Sequence, residues 1–133
     1  ISKHRMDVTF TEISETIALS AMYAANHLEG IKAIIALTES GYTAKLMSRI
    51  TSSHAIYALS RHQKTLNKMA LYRGVYPVFF DSHGISNDHL ADDAVEAVKK
   101  AAGLKTGDLV ILTHGDVMET VGASNTCKIV TVK

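Results

Sequence analysis

Five short apolar runs, spaced by helical patterns everywhere except before the last, restrict what this chain can fold into. They are Ile31–Leu37, Ala55–Leu59, Val75–Phe80, Asp108–Thr113 and Lys128–Val132. Continuous runs of this length, separated by stretches of helical periodicity, predict buried strands of a parallel sheet covered on both faces. Helices are expected over 42–50, 63–72 and 87–102, with Ala44, Met47 and Ile50 on one face of the first. Ser86 or Asn87 can cap the last of these and Gly103 can close it. The connection from fourth to fifth run leaves no room for a crossover helix, so the fifth strand should run antiparallel. Pro77 lies inside the third run and places that strand at a sheet edge, because proline cannot donate to a ladder on its imino side. The expected fold is α/β: a three-layer αβα sandwich around a five-stranded, mostly parallel sheet with the last strand antiparallel.

Ahead of the first run, Thr9-Phe10-Thr11-Glu12 has the form of a capping box. Phe10, Ile13, Ile17, Ala21, Ala24 and Leu28 then recur at helical spacing, and Gly30 is placed to end that helix. Its small residues Ala18, Ser20, Ala21, Ala24 and Ala25 allow close packing against a sheet or another helix.

A chain of 133 residues suits a single domain over 1–133 with a real core. Hydrophobic residues at 47% against 20% charged make it globular rather than disordered. Net charge is +1 with no basic block, which argues against a nucleic-acid partner. No apolar run reaches membrane-spanning length and no signal peptide is visible, so no membrane partner is expected. The single Cys127 forbids an internal disulfide and fits a reducing, cytoplasmic setting. The first residue is not Met, which suggests a piece of something longer.

In open αβ sheets, ligands bind beyond the carboxyl ends of the strands. Three polar segments fall there: Thr38–Thr43, Ser60-Arg61-His62 and Thr113–Asp116. Thr38-Glu39-Ser40-Gly41-Tyr42-Thr43-Ala44 turns from a strand into a helix N-terminus, where free backbone N–H groups and hydroxyls favour an anion. It is neither a Walker A loop nor a Gly-x-Gly-x-x-Gly fingerprint, and such corners also serve simply to cap a helix. Arg61, helped by Lys64 and Thr65, could pair with a phosphate, or could only solvate a helix start. His62 and His114 lack a nucleophile or carboxylate at fixed spacing, so no catalytic set emerges. Asp81 with His83, and Asp88 with His89, have no metal-ligand spacing. Cys127, Met22, Met47 and Met69 read as core residues. Three classes of function stay open. One is a binding module for a phosphorylated ligand. Another is a small hydrolase using His114 and Asp116. The third is an interaction domain associating through helix 9–28.

Four stretches together resemble the carboxyl-terminal domain of pyruvate kinase. They are Ile34 to Ala44, Ser60-Arg61-His62 with Lys64-Thr65, Leu71-Tyr72-Arg73-Gly74-Val75-Tyr76-Pro77-Val78, and Gly107 to Thr126. The wording is most similar to the bacterial branch activated by AMP or sugar monophosphates. The resemblance implies an effector-binding and oligomerisation domain of a glycolytic enzyme. That enzyme transfers a phosphoryl group from phosphoenolpyruvate to ADP with Mg²⁺ and K⁺, through a (β/α)₈ barrel and lid that 133 residues cannot contain. It implies no catalytic or metal-binding residue and no cofactor in this domain. It also implies the chain's own barrel as a partner and a homotetramer as the full assembly. Carried over by position, Thr38, Ser40, Gly41, Tyr42 and Thr43 would hold the effector phosphate. Ser60, Arg61 and Lys64 would lie near its sugar or a second phosphate. Glu39 would repel a dianion unless it turned away. Asp116, Val117 and Met118 stand where the bisphosphate-activated branch offers Trp and Arg. No basic residue follows His114 before Thr126, which favours a monophosphate.

Overall fold

A computed structural model describes residues 12–115 and 124–133. In chain order the elements are α1 (Ile13–His27), β1 (Ile31–Leu37), α2 (Tyr42–Ser48), β2 (Ile56–Ser60), α3 (Gln63–Met69), β3 (Val75–Phe79), α4 (Asn87–Ala102), β4 (Leu109–His114) and β5 (Thr126–Thr131). The five strands form one sheet in the order β3-β2-β1-β4-β5. All neighbours are parallel except β4 and β5, which pair antiparallel. Pro77 does lie in an edge strand, opposite Ala58.

The strand order follows from connection handedness. From β1 the chain steps outward to β2 and β3 through α2 and α3. It then returns past β1 to β4 through α4. Right-handed crossovers that travel in opposite directions put their helices on opposite faces. Accordingly α1, α2 and α3 pack on one face, around Met22, Met47, Met69, Ile34, Ile56 and Ile111. The other face is covered by α4 through Leu90, Ala94, Val95 and Val98, which meet Ile35, Leu37, Leu59 and Leu112. On the first face, one row of β-branched residues runs across all five strands: Val75, Ile56, Ile34, Ile111 and Ile129. The neighbouring row is small, comprising Pro77, Ala58, Ala36, Thr113 and Cys127. Reversal of travel between β1 and β4 makes their carboxyl ends the switch point, where such sheets open a crevice.

Most expected elements stand within two residues of their positions, and α4, with Ser86 before it and Gly103 at φ 65° after it, matches at both ends. The helix ahead of β1 needs three corrections. Glu12 is extended (φ −115°, ψ 138°) and precedes the first helical residue, so it is not the third residue of a capping box. Thr9 and Thr11 lie outside the described residues. The buried face is also rotated from the expected one: Ser14, Ala18, Ala21, Met22 and Ala25 point inward. Ile13 is 68% exposed and Leu28 is exposed as well. Close approach to the sheet selects small residues over large apolar ones, so hydrophobicity alone aims this helix wrongly. Leu28, extended, ends α1, and Gly30 at φ 90° instead shapes the turn into β1.

Candidate functional site

The loop after β1 is shaped by its own hydroxyls. Thr38 Oγ1 accepts the Gly41 N–H at 2.9 Å, and Ser40 Oγ accepts the Tyr42 N–H at 3.3 Å. Each hydroxyl that accepts from an amide keeps its own O–H to donate elsewhere. Gly41 sits at φ 84°, in the left-handed region that side chains disfavour. α2 is only seven residues long and its start carries no side-chain cap.

The expected phosphate residues do not all face one way. Thr38, whose N–H donates to the Leu59 carbonyl, and Glu39 lie on the side of β2, whereas Ser40 lines the same cleft as Tyr42. Tyr42 points the other way: its hydroxyl donates to Glu12 Oε1 at 2.9 Å, across a cleft of about 460 Å³ shared with Lys45, Lys68 and Tyr72. Thr43 is buried, and its hydroxyl lies 2.8 Å from that of Ser124, just before β5. Ser60, at the end of β2, is buried and accepts the His62 N–H at 3.2 Å. Lys64 is exposed on the first turn of α3.

Beside it, Thr65 Oγ1 donates to the Glu39 carbonyl at 2.8 Å, tying α3 to the loop. Glu39 itself turns toward β2, its side chain only 9% exposed. Its Oε1 lies 3.4 Å from Arg61 Nη2 and its Oε2 3.3 Å from His62 Nε2. Sequence spacing alone gave no sign of this cluster, because its members are brought together only by the parallel pairing of β1 and β2.

Three buried side-chain polar atoms have no hydrogen-bond partner among the described residues: Arg61 Nε, Thr113 Oγ1 and His114 Nε2. All three lie at the carboxyl ends of β2 and β4. Buried polar groups are nearly always partnered, so three exceptions on one rim stand out. His114 Nδ1 lies 2.9 Å from the Gly115 carbonyl, which can only accept. A neutral His114 therefore carries its proton on Nδ1 and presents a bare acceptor at Nε2. Asp116, the carboxylate paired with it in the hydrolase reading, lies outside the described residues, as do Val117 and Met118. Among the described residues no group of three or more His, Cys, Asp or Glu is placed to hold a metal ion, and no helix is long and apolar enough to cross a membrane.

Hydrogen bonding to the Glu12 carboxylate raises the Tyr42 phenol above its ordinary pKa. Only the neutral phenol can donate, so this contribution to stability is complete below the ordinary value and is lost as pH rises through the raised one. In an NMR titration of ring-labelled tyrosine, Tyr42 is expected to ionise later than free tyrosine, and Glu12→Gln should bring it back. An ordinary titration in the unsubstituted chain would show that the bond does not form in solution.

The family model described as "Pyruvate kinase, alpha/beta domain" matches residues 15–130. "Pyruvate kinase II" of Salmonella typhimurium is 56% identical over the whole chain. The pyruvate kinase of Buchnera aphidicola subsp. Schizaphis graminum is 52% identical over 99% of it. That of Clostridium acetobutylicum is 32% identical over 90%. The chain spans 28%, 27% and 25% of the lengths of these relatives, respectively. With a family match over most of its length and relatives 56% and 52% identical across it, the chain belongs to the pyruvate kinase alpha/beta domain family, as a C-terminal domain of the bacterial pyruvate kinase II kind.

Proposed function

We propose that this chain is the effector-binding part of a cytoplasmic pyruvate kinase and that its carboxyl rim takes the phosphate of a sugar monophosphate or of AMP. The observation that carries the reading is the gathering of orphaned buried polar atoms at the ends of β2 and β4, next to a loop with hydroxyls to spare. The hydroxyls of Thr38 and Ser40 supply neutral donors. Arg61 supplies the charge, and its planar fork suits a phosphate. Tyr42 and Thr43 act indirectly, by fixing the ends of the loop. Ser60 orients the Arg61-His62 backbone, and Lys64 adds positive potential from the surface. The bare Nε2 of His114 would suit a sugar hydroxyl as donor.

In the whole enzyme, phosphoryl transfer from phosphoenolpyruvate to ADP, with its Mg²⁺ and K⁺, would belong to the barrel and lid, and this chain alone would be inactive. An effector that binds one state of a homotetramer more tightly than another shifts the population toward it by that difference. Calorimetric titration with ribose 5-phosphate, AMP and fructose 1,6-bisphosphate tests the reading. Monophosphates are expected to bind, and Ser40→Ala combined with Thr43→Ala to abolish binding while the melting transition persists. Binding untouched by the double substitution would place the site elsewhere.

A further inference from the structure

Glu39 holds the position a bound anion would need. Its carboxylate reaches both side chains that follow β2, the Arg61 guanidinium and the His62 imidazole, and is almost wholly withdrawn from water. The pairing is nevertheless poor. Arg61 is engaged through one nitrogen at 3.4 Å, a long contact for a charged pair, while its Nε is buried and finds no acceptor among the described residues. A carboxylate tethered to the loop thus neutralises the guanidinium without satisfying it. A phosphate has three terminal oxygens and can meet Nε and Nη2 together. Thr65 holds the Glu39 carbonyl, not its carboxylate, so the side chain can swing out while the loop stays fixed.

We infer that Glu39 is an internal counter-ligand of the anion site: its carboxylate occupies Arg61 and His62 until a phosphate monoester displaces it. The inference rests on the phosphate-binding reading above and adds a specificity rule. A ligand binds only if it contacts Arg61 better than a carboxylate does, so phosphate monoesters are taken and singly charged carboxylates are refused. Because displacement opposes binding, Glu39 weakens the affinity that the bare site would have.

The test is calorimetry of the chain with ribose 5-phosphate and, separately, inorganic phosphate, comparing Glu39→Gln with the unsubstituted protein. Glutamine keeps the shape and removes the charge. Binding about ten-fold tighter is expected, from the loss of the internal ion pair with Arg61 that a phosphate must otherwise break. In an Arg61→Ala background the same change should gain nothing, since there is no guanidinium left to release. Binding by Glu39→Gln alone would support the inference in its strongest form. If the unsubstituted chain binds and Glu39→Gln binds equally or more weakly, the counter-ligand is refuted while the phosphate site survives. A gain that persists without Arg61 would also refute it, reducing Glu39 to simple repulsion. No binding by either folded protein would overturn both readings. A second measurement needs no variant: the Arg61 Nε–H resonance should move on saturation with phosphate as the orphaned donor gains an acceptor. A stationary resonance in the liganded protein would overturn the inference.

Discussion

Gly41→Ala is expected to destabilise the chain by about 2–5 kcal/mol and to lower its melting temperature by roughly 10 °C or more. Two separate costs add. The residue sits at φ 84°, where an L side chain is disfavoured by about 1–2 kcal/mol. A methyl group there would also lie 2.9 Å from Met69 Cγ and 3.3 Å from its Sδ. Met69 is fully buried, so it cannot swing away into water. Overpacking of this kind costs about 1–3 kcal/mol. The same substitution should weaken phosphate binding, because relief of the clash would shift the amide that Thr38 holds. Thermal denaturation checks the first part. A melting temperature within about 2 °C of the unsubstituted chain would mean that the loop has another conformation open to it at little cost.

Ile34→Ala should cost about 3–4 kcal/mol, close to the upper half of what large-to-small core changes give. Ile34 is wholly buried on β1 and stands at the middle of the β-branched row, with Ile56 on one side and Ile111 on the other. Its neighbours belong to strands hydrogen-bonded in fixed register, so they cannot close over the space left behind. Leu71→Ala provides the contrast. Leu71 has a side chain of the same size but is 86% open to solvent, and its loss should change stability by less than about 0.5 kcal/mol. Urea denaturation of both variants decides the matter. Similar losses for the two would show that Leu71 is covered in solution, whereas a small loss for Ile34 would mean that the sheet repacks.

The fold was readable because its signals are local. Continuous apolar runs, the lack of a helical sequence pattern before the last run and Pro77 in β3 each carry their meaning within a few residues, and all point to the same sheet. α1 was misjudged in two local end signals, Glu12 and Gly30, and in one respect that is not local. Its inward face is set by packing on β4, β5 and β1, where Ala18 and Ala21 are buried while Ile13 stays exposed. The site divides in the same way. Thr38, Ser40 and Gly41 stand out as a strand-to-helix corner from their order alone. The pairing of Glu39 with Arg61 and His62 spans two strands, and the Thr43–Ser124 and Tyr42–Glu12 bonds reach farther still along the chain. Nothing in residue spacing announces contacts of that kind. The family resemblance named the effector loop but left the direction of Glu39 undecided, and the structure turns it inward.

The loop after β1 is fastened by Tyr42 to the mouth of α1, by Thr43 to the start of β5, and by the Glu39 carbonyl to α3. In mechanical terms it is a three-legged mount. A body resting on three feet has one seating and does not rock, and it cannot lean toward one support without unloading another. Whatever lifts this loop is therefore felt at once in three elements that are distant from one another in sequence.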